Sequence, residues 1–294
     1  MFDAVFRQRL DEIVKARSSS QIAVDARQDA RPLFLEARTI SGARVRVGRV
    51  AADLAEDLCG CGALLPLAEG GLLLPGSSFE DRTAMLGRIA ARLRSQTAFA
   101  LSDERLDLRD VGAHSDDAPV FAQMPRGLFR PLGAKTYAVR LTALIRPPQA
   151  DCPSHFLFSR RSEKKRIGPG LWDSLAAGLV AAGESVRDAL ARESLEEAGL
   201  DLSRLSPAFC ARTVFERPIA EGFLLEESFE YAIELPRSFS PYAVDGEVSA
   251  FAAFTAEETL ELIEANRMMP EAAAAALRIL QKAAAENASA LSAV

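Results

Sequence analysis

The chain has 294 residues, of which 49% are apolar, and carries 35 lysines and arginines against 41 aspartates and glutamates. This length suits two domains with a sizeable core in each. The mildly acidic balance argues against a general nucleic-acid-binding protein, and no segment reaches the roughly 18 consecutive apolar residues that a membrane span needs.

The first predicted element is an amphipathic helix that ends near Ser18–Ser20. Its apolar residues recur on one helix face, and charges of both signs interrupt them, so the segment lacks the apolar core of a signal peptide. We expect this helix to pack on its own domain. The apolar face comprises Phe2, Val5, Phe6, Leu10, Ile13 and Val14.

The cysteines do not follow a zinc-binding spacing, and only His114 and His155 are available to assist them. We interpret the C-x-C pair as two reduced thiols near a turn. Reduced thiols are typical of the cytosol, so the sequence predicts a cytoplasmic protein. The four cysteines are Cys59, Cys61, Cys152 and Cys210.

Short elements follow in the first half of the chain, and they predict a small α+β domain over residues 1–130. The second helix of this region has Ser77 or Ser78 as its predicted N-cap. The predicted elements are strands at Leu33–Leu35 and Val45–Val50 and helices at Ala51–Cys59 and Phe79–Thr97.

The second half, residues 131–294, alternates between strand and helix patterns. Tyr137–Ile145 shows the period of two that is typical of a strand with one buried face. Thr255 and Glu258 form a capping-box pattern, and Pro270 opens the last helix. Further strands are predicted at His155–Arg161, Ala208–Phe215, Ser228–Leu235 and Glu247–Phe254.

The most informative stretch of the chain runs from Gly178 to Leu200. Ser185 is a candidate N-cap, Asp188 can return the hydrogen bond, and Gly199 suits a left-handed residue at the helix end, so a helix is predicted over 185–198. Its predicted buried stripe comprises Val186, Ala189, Leu190, Leu195 and Ala198.

Three carboxylates share one face of this predicted helix. Glu193, Glu196 and Glu197 stand at i, i+3 and i+4. Like charges at this spacing cost an isolated helix roughly 0.2–0.5 kcal/mol per pair. A hard divalent cation such as Mg²⁺ would reverse the sign, because it prefers oxygen ligands. A solvated acidic face is the alternative interpretation.

The complete pattern resembles the Nudix box, G-x5-E-x7-R-E-U-x-E-E-x-G-U, where U is a bulky aliphatic residue. The matching residues are Gly178, Glu184, Arg192, Glu193, Glu196, Glu197, Gly199 and Leu200. Ser194 departs from the pattern, because an aliphatic residue is usual there. The departure concerns the packing of the helix on the sheet more than metal binding.

The resemblance implies an α/β fold: a Nudix α/β/α sandwich with a mixed sheet, here preceded by the smaller α+β domain. It also implies that Glu193, Glu196 and Glu197 bind Mg²⁺, or alternatively Mn²⁺, for hydrolysis of a diphosphate. Glu184 and the catalytic-site Arg192 would hold loop and helix together. The general base comes either from the box or from outside it, where Glu247 is the best candidate, with an ordinary exposed acid as the alternative.

A basic run precedes the box, and we interpret it as a phosphate-binding loop or as a solvated loop. Arg160, Arg161 and Lys165 are the candidate substrate-binding residues, with Lys164 and Arg166 beside them. Trp172, the single tryptophan, either stacks on a substrate ring or packs in the core, and we favour the core.

A second resemblance covers Arg126–Ile145 and, more loosely, Ser102–Arg109. These segments look like the junction between an N-terminal accessory domain and the Nudix domain of fungal thiamine pyrophosphokinase and its stand-alone relatives. Arg140 departs, since the family tends to have histidine there. The resemblance implies that thiamine diphosphate, or its oxidised or damaged derivatives, is cleaved to the monophosphate.

Three alternatives remain at this point. A general nucleoside-diphosphate or ADP-ribose hydrolase needs the same box. An isopentenyl-diphosphate isomerase would need a cysteine where Ala176 and Ala177 stand. A non-catalytic Nudix module usually loses box glutamates.

We expect a small-molecule diphosphate as the partner, and neither a nucleic acid nor a membrane. The N-terminal domain would shape the pocket, mediate a homodimer or stabilise the fold.

Overall fold

The computed structural model describes residues 2–20, 32–95, 104–113, 118–146, 154–244 and 246–292. Its buried apolar residues form three clusters. One cluster lies in the first half of the chain, from Leu35 to Ala134. The other two lie on opposite faces of a sheet in the second half. His114 and Cys152 fall outside the described residues.

The first half is a small α+β unit, as predicted. Its four-stranded sheet has the order β2-β1-β4-β3, and a separate antiparallel pair joins β5 to β6. Ser78 Oγ accepts from the Asp81 N–H at 3.1 Å, which makes Ser78 the cap of α3. The elements are β1 (Leu33–Arg38), β2 (Arg44–Val50), α2 (Ala52–Gly60), β3 (Leu65–Pro66), β4 (Leu72–Leu73), α3 (Phe79–Ser95), β5 (Arg105–Leu108) and β6 (Ala122–Pro125).

The second half contains a mixed seven-stranded sheet. The main path has the order β11-β12-β7-β8-β13, in which β7 runs parallel to β12 and antiparallel to β8. The strands are β7 (Thr136–Ile145), β8 (His155–Arg161), β9 (Trp172–Asp173), β10 (Ala176–Leu179), β11 (Ala208–Ile219), β12 (Gly222–Leu235) and β13 (Val248–Phe254).

One edge of β7 is shared between two strands. Its segment Ala138–Leu141 pairs with β10, whereas Ala143–Ile145 pairs with β8. The β10 strand ends at Leu179 and leads directly into the loop before the glutamate-rich helix. This split of the sheet edge therefore positions the loop and the helix beside the backbone of β10.

Helices cover both faces of this sheet, which confirms the α/β/α sandwich. Along β8, Leu157 belongs to the cluster beneath α4, while Phe156 and Phe158 belong to the cluster beneath α5 and α6, as expected from the alternation of strand side chains. The helices are α4 (Val186–Ala198), α5 (Ala256–Glu264) and α6 (Pro270–Ser292).

The N-terminal helix α1 (Ala4–Ser20) packs on α5 and α6 rather than on the first-half unit, so the expectation that it packs on its own domain was wrong. Arg9 Nε donates to Glu264 Oε1 at 3.0 Å, and Arg17 Nη2 donates to the Ile263 carbonyl at 2.7 Å. Helical periodicity reports that a helix has an apolar face and does not report which surface covers it. The division at residue 130 stays a prediction.

Several local predictions are confirmed and two need correction. The capping box of Thr255 and Glu258 is present, and Pro270 opens α6. Val5 was expected on the apolar face of α1 but is 75% exposed. The strands β11 and β12 extend further than predicted and meet in a hairpin at Ile219 and Gly222. Within the described ranges, no helix has the length and hydropathy to cross a bilayer.

Candidate active site

The helix α4 begins and ends as the sequence predicts. Ser185 Oγ accepts from the Asp188 N–H at 3.2 Å and donates to the Asp188 carboxylate at 2.6 Å. Gly199 ends the helix in the left-handed region, with φ 62° and ψ 21°. A side chain there would meet the Tyr242 ring at 2.3 Å, so both the conformation and the space favour glycine.

The face of α4 that packs on the sheet includes the unusual serine. Ser194 is fully buried, and its hydroxyl donates to the Leu190 carbonyl at 2.6 Å, so a polar side chain at a normally aliphatic position is satisfied. Leu195 was expected in the buried stripe but is 49% exposed. It lies nine residues after Val186, about two and a half turns, and therefore on the opposite side of the helix.

Arg192 joins the helix to the loop that precedes it. Its Nε and Nη2 donate to the two oxygens of Glu184 at 2.8 and 2.9 Å, and Nη2 also donates to the Leu179 carbonyl at 3.1 Å. Burial would raise the pKa of Glu184, but the hydrogen bonds from Arg192 outweigh it and hold that pKa below its usual value. The structure thus gives Glu184 and Arg192 the structural contacts that the resemblance implies.

Two of the three candidate metal ligands face the backbone of β10. Glu197 is 6% exposed, and its Oε2 accepts from the Ala177 N–H at 2.8 Å. Glu193 Oε1 lies where a side chain on Gly178 would begin, 1.9 Å from an ideal Cβ position. The absence of a side chain at Gly178 therefore leaves the space that the Glu193 carboxylate occupies.

Burial makes the negative charge of this pair costly. It raises the pKa of Glu193, although the guanidinium of Arg192 opposes the shift at 2.6 Å. It raises the pKa of Glu197 to about 8, and the nearby carboxylates of Glu193 and Asp173 add to the shift. A cation beside Glu193 and Glu197 would stabilise both charges, so this part of the site fits a divalent metal.

Glu196 is placed differently. Its side chain is 45% exposed, and Oε2 lies 3.3 Å from Arg192 Nη1. In the part of the chain that the structure describes, no three histidine, cysteine, aspartate or glutamate side chains lie close enough together to hold an ion. The partly buried Glu193 and the buried Glu197 thus form the more enclosed pair, and a role for Glu196 as the third ligand stays a prediction.

A cavity of about 290 Å³ opens beside Leu179, at the end of β10. Its walls come from the first-half unit, from the loop after β8 and from β12, and five basic but only three acidic side chains line it. This excess of positive charge suits an anionic ligand. The charged residues are Arg126, Arg130, Arg161, Lys165, Arg166, Glu221, Glu226 and Glu247.

The cavity contains most of the predicted substrate-binding residues. Arg161, Lys165 and Glu247 line it, and the Lys165 ammonium contacts the Glu247 carboxylate. Arg160 does not belong to the lining. Its Nε donates to the Gly170 carbonyl and its Nη2 to Glu163, each at 3.0 Å. The expectation that Arg160 contacts substrate therefore lacks support from the geometry.

Sequence reasoning missed Arg130 and Glu226 among the charged residues of this cavity. Arg130 lies 3.9 Å from Glu221 Oε1, which also accepts from Arg166 at 3.1 Å, and burial lowers the pKa of Arg130. Its position in the R-G-L-F-R junction was the available signal. Glu226 stands in a strand that contains several glutamates, and no spacing rule distinguishes it from its neighbours.

Comparison with known proteins identifies the second half of the chain. Residues 136–277 match the family model of the NUDIX domain, so this region is a Nudix domain. The chain is 31% identical over 148 residues to Nudix hydrolase 20, chloroplastic, of Arabidopsis thaliana, and the match covers 47% of this chain and 36% of that protein. It is 32% identical over 138 residues to Nudix hydrolase 24, chloroplastic, of the same plant, covering 47% and 37%.

The match therefore spans a little over a third of the length of these plant relatives. Among solved structures, the fold is similar to an Ap4A hydrolase of C. elegans, with a TM-score of 0.40 and 15% identity over 51% of this chain and 98% of that chain.

The raised pKa of Glu197 predicts how stability depends on pH in metal-free protein. Because the folded pKa of about 8 exceeds the usual 4.5, the native state binds more protons than the unfolded state between these values. Glu197→Gln should match wild-type stability near pH 4.5 and exceed it at pH 8.5 by roughly 2–4 kcal/mol, since one pKa unit is worth about 1.4 kcal/mol.

Urea unfolding in the presence of a chelator measures this difference. Glu196→Gln, at the exposed neighbouring position, is the matched control and should keep the wild-type pH dependence. An equal stability difference between Glu197→Gln and wild type at both pH values would contradict the prediction.

The contact at Gly178 predicts a second effect. Gly178→Ala should displace the flexible Glu193 carboxylate and weaken Mg²⁺ or Mn²⁺ binding at least tenfold in titration calorimetry, while the free energy of unfolding changes by about 1 kcal/mol or less. Gly87→Ala, which has nothing within 4 Å of the added Cβ, is the control. Unaltered metal affinity in Gly178→Ala would show that Glu193 is not a ligand.

Proposed function

We propose that the protein is a divalent-metal-dependent pyrophosphohydrolase that cleaves a diphosphate linkage in a small molecule. The observation that carries this proposal is the pair formed by the partly buried Glu193 and the buried Glu197, beside a positively charged cavity. Paired carboxylates suit a metal ion, and the cationic cavity walls suit phosphate groups. Hydrolysis of a diphosphate requires both a metal ion and neutralisation of the phosphate charge.

The chain's own residues divide the work. Glu193, Glu196 and Glu197 would hold Mg²⁺ or Mn²⁺, and the metal would supply Lewis acidity and lower the pKa of water. Arg192 positions Glu193 through its 2.6 Å hydrogen bond. Lys165 and Arg161 on the cavity wall bind phosphate oxygens. Glu247 is the candidate general base, since it lines the same cavity.

The proposed substrate is thiamine diphosphate or an oxidised or damaged derivative, cleaved to the monophosphate. This choice rests on the resemblance to the Nudix part of fungal thiamine pyrophosphokinase. A general hydrolase of ADP-ribose-like compounds is the alternative, because it needs the same carboxylates and cationic wall. The names of the plant relatives support hydrolysis and specify no substrate.

The first-half unit takes part in the site in this proposal. Arg126 and Arg130 line the cavity together with residues of the Nudix domain, which supports a role in shaping the substrate pocket. The cytoplasmic location and the homodimer stay predictions.

The metal assignment is tested by conservative substitutions. Glu193→Gln and Glu197→Gln keep the size of the side chain and remove its charge, so each should lower kcat with Mg²⁺ at least about 100-fold, or roughly 2.7 kcal/mol, without unfolding the protein. Phosphate release and thermal unfolding measure the two effects. Glu257→Gln, at an exposed position in α5, is the control. Full activity in both site variants would reject the assignment.

The substrate is tested by comparing kcat/KM over a panel. Thiamine diphosphate and its oxidised forms should give the highest values, and ADP-ribose and nucleoside diphosphates lower ones. A clear preference for ADP-ribose would replace the proposed substrate with the alternative. No turnover of any compound would reject the proposed function.

A further inference from the structure

Glu226 is the one acidic residue of the cavity lining that lacks a charged partner in the described structure. Glu247 contacts Lys165, and Glu221 pairs with Arg166. The Glu226 side chain makes no hydrogen bond or ion pair with any residue in the described ranges, although Glu226 lines the cavity. It is enclosed by protein and remains reachable from the cavity, so its carboxyl group is available to a ligand.

The surroundings of Glu226 disfavour the negative charge of its carboxyl group. Burial and then repulsion from Glu271 raise its pKa, whereas Arg140, Arg130 and Arg217 oppose the rise. These arginines pair with other carboxylates. Arg140 lies 2.7 Å from Asp173, Arg217 lies 3.2 Å from Glu271, and Arg130 lies 3.9 Å from Glu221.

A partly enclosed carboxylate without a partner in the protein loses part of its hydration, which costs free energy. A donor supplied by a bound molecule would remove the cost. This requirement points to a ligand group and does not depend on the metal site.

Glu226 and the basic side chains proposed to bind phosphate reach the cavity from different elements. Lys165 and Arg166 lie on the loop after β8, whereas Glu226 lies on β12, beside Thr136 of β7. Apolar side chains also line the cavity, namely Phe129, Phe223, Leu224 and Leu225. A molecule whose phosphates contact the basic loop would extend a flat apolar group toward β12. The volume of about 290 Å³ suits a group of one or two rings.

We infer that this cavity binds the non-phosphate part of the substrate and that Glu226 determines specificity by accepting a hydrogen bond from an N–H group of a nitrogen heterocycle. This inference rests on the proposed function and deepens it. It favours diphosphates of amino-substituted rings and disfavours alkyl diphosphates, which have no N–H donor for Glu226.

The test compares two classes of substrate in matched variants of the full chain. Glu226→Leu removes the acceptor, Glu226→Gln keeps an acceptor oxygen, and Glu234→Leu changes an exposed glutamate of the same strand as a control. Thiamine diphosphate and ADP carry an amino-substituted ring, and isopentenyl diphosphate carries none. Glu226→Leu should lower kcat/KM at least tenfold for thiamine diphosphate and ADP and less than twofold for isopentenyl diphosphate. For thiamine diphosphate and ADP, the kcat/KM of Glu226→Gln should lie between the values of Glu226→Leu and wild type.

Binding of the monophosphate products keeps the inference testable if turnover is absent. By titration calorimetry, Glu226→Leu should raise the Kd of thiamine monophosphate and AMP at least tenfold and leave that of isopentenyl monophosphate unchanged. If wild type binds the heterocyclic products in a Glu226-dependent way but turns over no diphosphate, the proposed function fails and the inference stands.

Two outcomes would overturn the inference while leaving the proposed function intact. The first is normal heterocycle selectivity in Glu226→Leu. The second is an equal fall in kcat/KM of Glu226→Leu for all three diphosphates, which would indicate a structural role for Glu226. Thermal unfolding checks the fold, and if Glu226→Leu does not fold, the near-isosteric Glu226→Gln decides by the same selectivity criterion. If wild type neither turns over the diphosphates nor binds these products, both proposals fail.

Discussion

The hydrogen bonds of Arg192 are the interaction on which the site depends. One guanidinium contacts Glu184, Glu193, Glu196 and the Leu179 carbonyl, so it joins the strand end, the loop and the helix. Lysine could not replace it, because a single ammonium lacks the planar fork that binds Glu184 through two bonds. Without this positive charge, the carboxylates around β10 would repel one another and the loop would lose its attachment to the helix.

The enclosed glutamates of this site cost stability in the metal-free protein. Glu193 and Glu197 are placed where burial raises both pKa values, and Glu197 has only the Ala177 N–H as a hydrogen-bond donor among the described contacts. Strongly shifted pKa values of this kind cluster at functional sites. The fold tolerates the pair because Gly178 leaves room for one carboxylate and Arg192 offsets part of its charge.

The two halves of the chain meet around the proposed substrate cavity. Arg130 reaches it from the first half, and Lys165 and Glu226 reach it from the Nudix domain. The helix α1 returns from the other end of the first half to cover α5 and α6. N-terminal segments therefore contact the Nudix domain at the proposed substrate cavity and at α5 and α6, and also through ion pairs and hydrogen bonds such as Arg49 with Glu216 and Asp107 with the Gly183 N–H.

The sequence by itself determined the features that depend on neighbours along the chain. The caps of α4 at Ser185 and Gly199 and the capping box at Thr255 follow from interactions within four residues, so spacing alone predicts them. The mixed sheet and the sandwich followed from the recognised pattern of the box. Only the tertiary structure decided that α1 covers the second half, that Arg160 lies outside the cavity and that Glu226 lies within it. These positions depend on contacts between segments far apart in the chain, which hydrophobic periodicity and local spacing do not encode.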